Sequence, residues 1–234
     1  TSSIAAGSST SSSGTTTRMS RHLARRAALA AAPVAVLLGA CAPRARPLGG
    51  TPVPAARVPA AAIPVGHHHV VFRWRYEDPD MQARGEGVAR VASPDSARLD
   101  FFVDPGIGAG YALLIGDELQ APGIALVRRY LPPPPLLWAS LGRLHVPPSA
   151  DTVARVDVDT IRADIGRAPT WRATFASDRL VRLERIEDGR VVERVVRGAN
   201  DEVRYDHLGA RRSLTLTVSR RSEVQPFDAT IWRP

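Results

Sequence analysis

From Val70 onward the sequence alternates. Val70, Phe72, Trp74 and Tyr76 are apolar, and Val71, Arg73 and Arg75 lie between them. A strand with this pattern has one aromatic face and one largely cationic face, as a strand buried on one side requires. The period recurs along the chain. Residues 86–93 read as a second strand, closed by the turn-forming Ser93-Pro94-Asp95-Ser96. Leu99, Phe101 and Val103 against Asp100 and Phe102 mark a third. Residues 111–115 mark a fourth, ending at Gly116-Asp117, after which 118–120 pairs back. Strands resume beyond Asp151. Trp171, Ala173 and Phe175 alternate with Arg172 and Thr174, and 180–186 and 190–197 flank Glu187-Asp188-Gly189, a strong hairpin signal. Residues 203–207, 212–219 and 229–232 complete the set. One helix is expected: Pro132–Pro135 lead into Leu136–Leu144, with Leu137, Leu141 and Leu144 on one stripe, Trp138 beside it, and Val146-Pro147-Pro148 as its stop. Many short strands with one or two helices predict a mainly β (α+β) fold on a large antiparallel sheet.

The chain has 234 residues and a single cysteine, Cys41. No internal disulfide can staple residues 42–234, so an apolar core must hold them. The formal charge is +8, but four of the 31 basic residues precede Cys41, which leaves +4 for the rest; lysine is absent and every basic residue is arginine. This weak excess excludes nucleic acid as the expected partner and suits a membrane surface.

No constellation predicts catalysis. His67-His68-His69 place at most two imidazoles on one face of a strand, without a cysteine or carboxylate pair at ligand spacing, so no metal is expected. Gly106-Ile107-Gly108-Ala109-Gly110 precedes a strand rather than the helix a phosphate loop needs. Gly-x-Ser-x-Gly is absent, and His145, His207, Glu184, Glu187 and Asp188 form no nucleophile–base–orienter set. The expectation is a protein that is not an enzyme and carries no cofactor.

The N-terminal region has its own logic. Residues 1–18 are almost entirely Ser, Thr, Gly and Ala and predict disorder; the natural start is expected at Met19. Residues 19–40 combine Arg21, Arg25 and Arg26 with an apolar run from Ala27 to Leu38, too short to span a membrane, and read as a secretory signal. Leu38-Gly39-Ala40-Cys41 resembles a bacterial lipobox, which implies lipidation at Cys41 and a membrane anchor. Residues 41–66 contain Pro43, Pro47, Pro52, Pro54, Pro59 and Pro64 and predict a semi-extended linker.

Residues 67–234 read as one domain, and its order of parts resembles the LolA/LolB-like group of bacterial lipoprotein carriers and receptors. The likeness rests on residues 85–100, from Gly85-Glu86-Gly87 through the Pro94-Asp95 turn to Asp100, on Leu114-Ile115-Gly116-Asp117-Glu118-Leu119, and on a helix over 135–144. It implies a curved antiparallel half-barrel covered by helices, with a hydrophobic cavity for acyl chains. Phe72, Trp74, Tyr76, Phe101, Tyr111, Leu113, Trp138, Leu141, Trp171 and Phe175 are the candidate lining. Ile107, in the loop between the third and fourth strands, is the candidate membrane-touching residue. The implied function is binding or receiving acyl chains of lipids or lipoproteins in the cell envelope, on the periplasmic face of the outer membrane. The alternative is an assembly lipoprotein that docks an envelope protein partner at a sheet edge or face.

Overall fold

The computed structural model describes residues 42–104, 106, 108–122 and 130–233. The stretch 1–18, the leader 19–40, Cys41 and Ile107 lie outside the described residues. Among the described residues, no helix is long and apolar enough to cross a membrane.

The alternating segments up to Val224 join one sheet. Its strands are β1 (Thr51–Val53), β2 (His67–Glu77), β3 (Gln82–Ala92), β4 (Ser96–Val103), β5 (Gly108–Ile115), β6 (Glu118–Gln120), β7 (Thr152–Asp157), β8 (Thr160–Ile165), β9 (Thr170–Ala176), β10 (Arg179–Glu187), β11 (Arg190–Arg197), β12 (Glu202–His207) and β13 (Arg212–Val224). Their spatial order is β1-β7-β8-β9-β10-β11-β12-β13-β2-β3-β4-β5-β6, and neighbouring strands run antiparallel throughout. Two meanders, β2–β6 and β7–β13, thus meet where β13 pairs with β2. The sheet stays open, with β1 and β6 as its edges: a half-barrel, as the resemblance implies.

The inner face carries the core. Phe72, Trp74 and Tyr76 are buried on β2 while Arg73 and Arg75 are exposed. Leu99 and Phe101 on β4, Trp171, Ala173 and Phe175 on β9, Leu183, Val195, Tyr205, Leu214 and Leu216 join them. Each large side chain so buried contributes roughly 2–3 kcal/mol. The outer face explains the wealth of arginine. Arg172 sits opposite Asp164 across β8–β9 and donates to both carboxylate oxygens at 2.7 Å. Arg194 and Arg204 both donate to Asp206, at 2.9 and 2.8 Å. Bidentate and shared pairs of this kind need the fork of a guanidinium.

Helix α1 (Pro134–Leu141) lies in the connection from β6 to β7. Pro133 is its N-cap and Pro134 its first residue, so the helix begins with residues that have no N–H to leave unsatisfied. It ends earlier than expected. Gly142 takes φ 97°, its N–H donates to Ala139 O and the Arg143 N–H donates to Trp138 O, closing a Schellman motif at Gly142. Pro147 and Pro148 are not its stop. Residues 229–232 also depart from expectation. They form a 3-10 turn, not a strand, because the Asp228 carboxylate accepts the Thr230 N–H at 2.8 Å and caps it.

The largest departure is the proline-rich segment. It is extended, as its composition demands, but it is not a free spacer. Pro43 O accepts the Val191 N–H, and the Ala45 N–H donates to Gly189 O. Residues 51–53 then pair with β7 as strand β1. Ile63 is buried, and Val58 and Ala61 pack against the core. Prolines have no amide hydrogen to satisfy, so such a chain can lie on apolar surface at little cost in unpaired donors.

Candidate functional site

Helix α1 and the 58–64 segment together cover the inner face. Three bonds locate the helix. The Trp138 indole donates to Gly116 O at 2.7 Å, tying α1 to the β5–β6 turn. The Arg197 guanidinium donates to Ser140 O, tying its other end to β11. The Leu144 N–H donates to Ala61 O, joining helix exit and proline-rich segment. Charge favours the second contact, since a guanidinium there faces the negative end of the helix.

Between this cover and the sheet lies an apolar cavity of about 60 Å³. Ile63 and Pro64 come from the covering segment, Leu141 and Ser140 from α1, and Val70, Phe72, Ala89, Val91, Leu99, Val203, Leu216 and Val218 from the sheet. His68 and Arg221 are its polar margin. A volume of this size admits roughly four to six water-sized groups, comparable to a short run of methylenes.

Only two of the ten expected lining residues, Phe72 and Leu141, border that space. Trp74, Tyr76, Phe101, Trp138, Trp171 and Phe175 are packed into the core beside it. Phe101 stands edge-on to both Phe72 and Trp74, at centroid distances of 5.7 and 5.9 Å. Tyr111 and Leu113 lie on the opposite face of the sheet. Register decides this: inward-facing Leu99 pairs with Ala112, which turns Tyr111 and Leu113 outward with Arg98 and Asp100. There Arg98 stacks over the Tyr111 ring at 4.0 Å and donates to Ile231 O in the C-terminal turn. The aliphatic lining on β3 and β13 is legible in the sequence as alternation (Ala89, Val91; Leu216, Val218).

Arg221 carries no such signal. Continuing the alternation of Leu214, Leu216 and Val218 would turn residue 221 outward. The β13–β2 register shifts between Val218 and Arg220, so Arg221 pairs with Val70 and joins the inner face. Re-aiming a side chain is what a β-bulge does. Beyond Arg221 the cavity adjoins a second concavity of about 320 Å³ that shares Val203, Val218 and Arg221 with it. Arg179, Arg197, Asp201 and Glu202 border this one. Burial first, then the neighbouring Arg221 and Arg179, hold the Arg197 guanidinium below its usual range, with Asp201 opposing.

Further along the same strands the inner face becomes polar. Glu193, directly opposite both Arg185 and His207, is buried; it accepts from the Tyr205 hydroxyl at 2.6 Å and from Arg185 at 2.8 Å. Burial and the bond to Glu193 push the Tyr205 phenol well above its usual range. His207 lies four residues from Val203, about 13 Å along β12, so this network stands away from the apolar cavity.

The histidine run is used structurally. The His68 imidazole reaches Pro64 O and Val65 O at 3.1 and 3.2 Å, and the Phe227 N–H donates to His67 Nδ1 at 3.4 Å. Among the described residues no group of three metal-ligating side chains converges.

No family model matches the chain. No curated protein matches it either. Solved structures do. A LolA-superfamily protein from Nitrosomonas europaea superposes with a TM-score of 0.50 at 11% identity, over 76% of this chain and 95% of that one. A domain from Vibrio parahaemolyticus assigned to outer membrane lipoprotein sorting matches at TM-score 0.44 and 6% identity, over 72% of this chain and 89% of its own. A DUF1329-family protein from Desulfovibrio piger matches at 0.43 and 4%, over 73% and 90%. The open sheet, its cover and the first of these superpositions together show that the described sheet domain has a LolA-type fold.

Proposed function

We propose that this chain is a cell-envelope lipoprotein, anchored through Cys41, whose domain takes up an acyl chain of a lipid or lipoprotein without performing chemistry on it. The observation that carries this reading is the apolar cavity between the inner face of the sheet and its cover of α1 and residues 58–64. A space lined by Ile63, Val70, Phe72, Leu99 and Leu141 holds few polar groups that could orient a reacting centre. It suits a hydrocarbon. The cover also buries Ile63, Leu136, Leu137 and Trp138 in the core, so a longer chain enters only if these side chains are lifted off the sheet, at a cost in buried apolar surface. Docking of a protein at a sheet edge has less support. The edge strands β1 and β6 are three residues each, too short to template a partner strand.

The backbone is bonded to the start of β11 at Pro43, two residues beyond the anchor. A domain lipidated at Cys41 would therefore rest against the bilayer instead of standing tens of ångströms above it.

Native mass spectrometry of the protein purified from a bacterial envelope tests the binding reading. Acyl-bearing adducts are expected on the wild type and their loss is expected for Val218→Phe, which places a ring in the cavity from a partly buried position. An adduct-free wild type, or adducts indifferent to Val218→Phe, would rule out this cavity as the site.

A further inference from the structure

The cavity is not uniformly apolar at its mouth. Three guanidiniums, from the start of β10 (Arg179), the end of β11 (Arg197) and the bulged part of β13 (Arg221), border the adjoining concavity. Among the described residues none of the three has a carboxylate within ion-pair distance, whereas the outer-face arginines Arg172, Arg194 and Arg204 are paired. Arg197 is spent partly on the helix, through Ser140 O. Arg179 and Arg221 are exposed. Asp201 and Glu202 border the same space without bonding to them. Like charges brought together without partners repel, and a sheet that inverts its own alternation to aim Arg221 inward adds to that repulsion. An anion placed among them would relieve it.

We propose that the ligand is a phosphate-bearing amphiphile: its headgroup sits among Arg179, Arg197 and Arg221, and one acyl chain enters the cavity beneath α1. This rests on the acyl-binding reading and sharpens it. Guanidiniums match phosphate oxygens in bidentate geometry, which favours phosphate over a neutral glyceride or a thioether-linked diacylglycerol. The cavity and the cationic concavity share Val203, Val218 and Arg221, so chain and headgroup can be held at once by one molecule.

The test titrates the full chain with oleoyl lysophosphatidate, with monoolein and with inorganic phosphate. Monoolein has the same chain and no phosphate. The lysophosphatidate is expected to bind about tenfold or more tighter than monoolein, as one or two charge-assisted hydrogen bonds would give. Arg179→Gln, which does not border the acyl cavity, is expected to weaken lysophosphatidate about tenfold and to leave monoolein unchanged, which also reports an intact cavity. Arg221→Gln is expected to weaken lysophosphatidate about tenfold more than it weakens monoolein. Equal affinities for the two lipids, with silent variants, overturn the headgroup assignment and leave the acyl reading standing. Inorganic phosphate binding as tightly as the lipid also overturns it, in favour of a simple anion site. Binding of neither lipid removes both readings.

Discussion

Gly87 stands directly opposite Phe72 in the β2–β3 ladder, as Gly85 stands opposite Trp74. A Cβ on Gly87 would lie 2.4 Å from the Phe72 ring and 2.9 Å from Asp100 O. The glycines are the floor on which the two aromatic rings lie, and the rings in turn cover backbone that glycine leaves bare. Gly87→Ala is therefore expected to destabilise by about 2–3 kcal/mol, read as a lower urea midpoint with an unchanged slope. Val158 is the opposite case. It is 94% exposed at the β7–β8 turn with φ 55°, a left-handed conformation that a β-branched residue adopts at a cost. Val158→Asn should raise stability by about 1 kcal/mol, and a midpoint that stays put would show the turn relaxes some other way. Neither residue's role follows from its type alone. A glycine in a strand signals close approach, but which ring approaches is known only once β2 and β3 are in register.

Among elements, α1 is the piece whose sequence and structure agree in kind and differ in extent. The apolar stripe and the leading prolines were enough to place a helix. Its end was set by Gly142, whose left-handed φ and two carbonyl-capping bonds stop the helix before the prolines are reached. Gly142→Ala should cost about 1 kcal/mol, detected as a drop in thermal midpoint. A Cβ there would also lie 3.5 Å from the Arg197 guanidinium. The short strands β7 and β8 and the turn at 229–232 were hard to read for one reason: six or fewer residues hold too few periods to separate a strand from a tight turn. The Asp188-Gly189 turn needed no such length. Both residues take positive φ there, 49° and 68°, as a two-residue hairpin turn requires.

At the scale of the molecule, residues 42–66 bring the sheet edge and the cover together. They bond to β11, contribute β1 and then place Val58, Ala61 and Ile63 over the core. Cys41→Ala is expected to move the protein from the membrane to the soluble fraction with its urea midpoint unchanged, because no described contact of the domain depends on that thiol. A membrane-bound Cys41→Ala would show that something other than the anchor holds it. Period-two alternation, the turn residues between its runs and the absence of any cysteine after Cys41 were sufficient by themselves to specify a large antiparallel sheet with one buried face, since side-chain direction in a strand is a local property. What only tertiary structure decided was where along that face the space lies. The pairing of β4 with β5 turned Tyr111 and Leu113 to the outer face of the sheet, where Leu113 is nonetheless buried, the bulge in β13 brought Arg221 to the inner face, and the fold-back of a proline-rich segment covered the cavity. Register, bulges and long-range packing depend on residues far apart in the chain, and local periodicity carries no record of them.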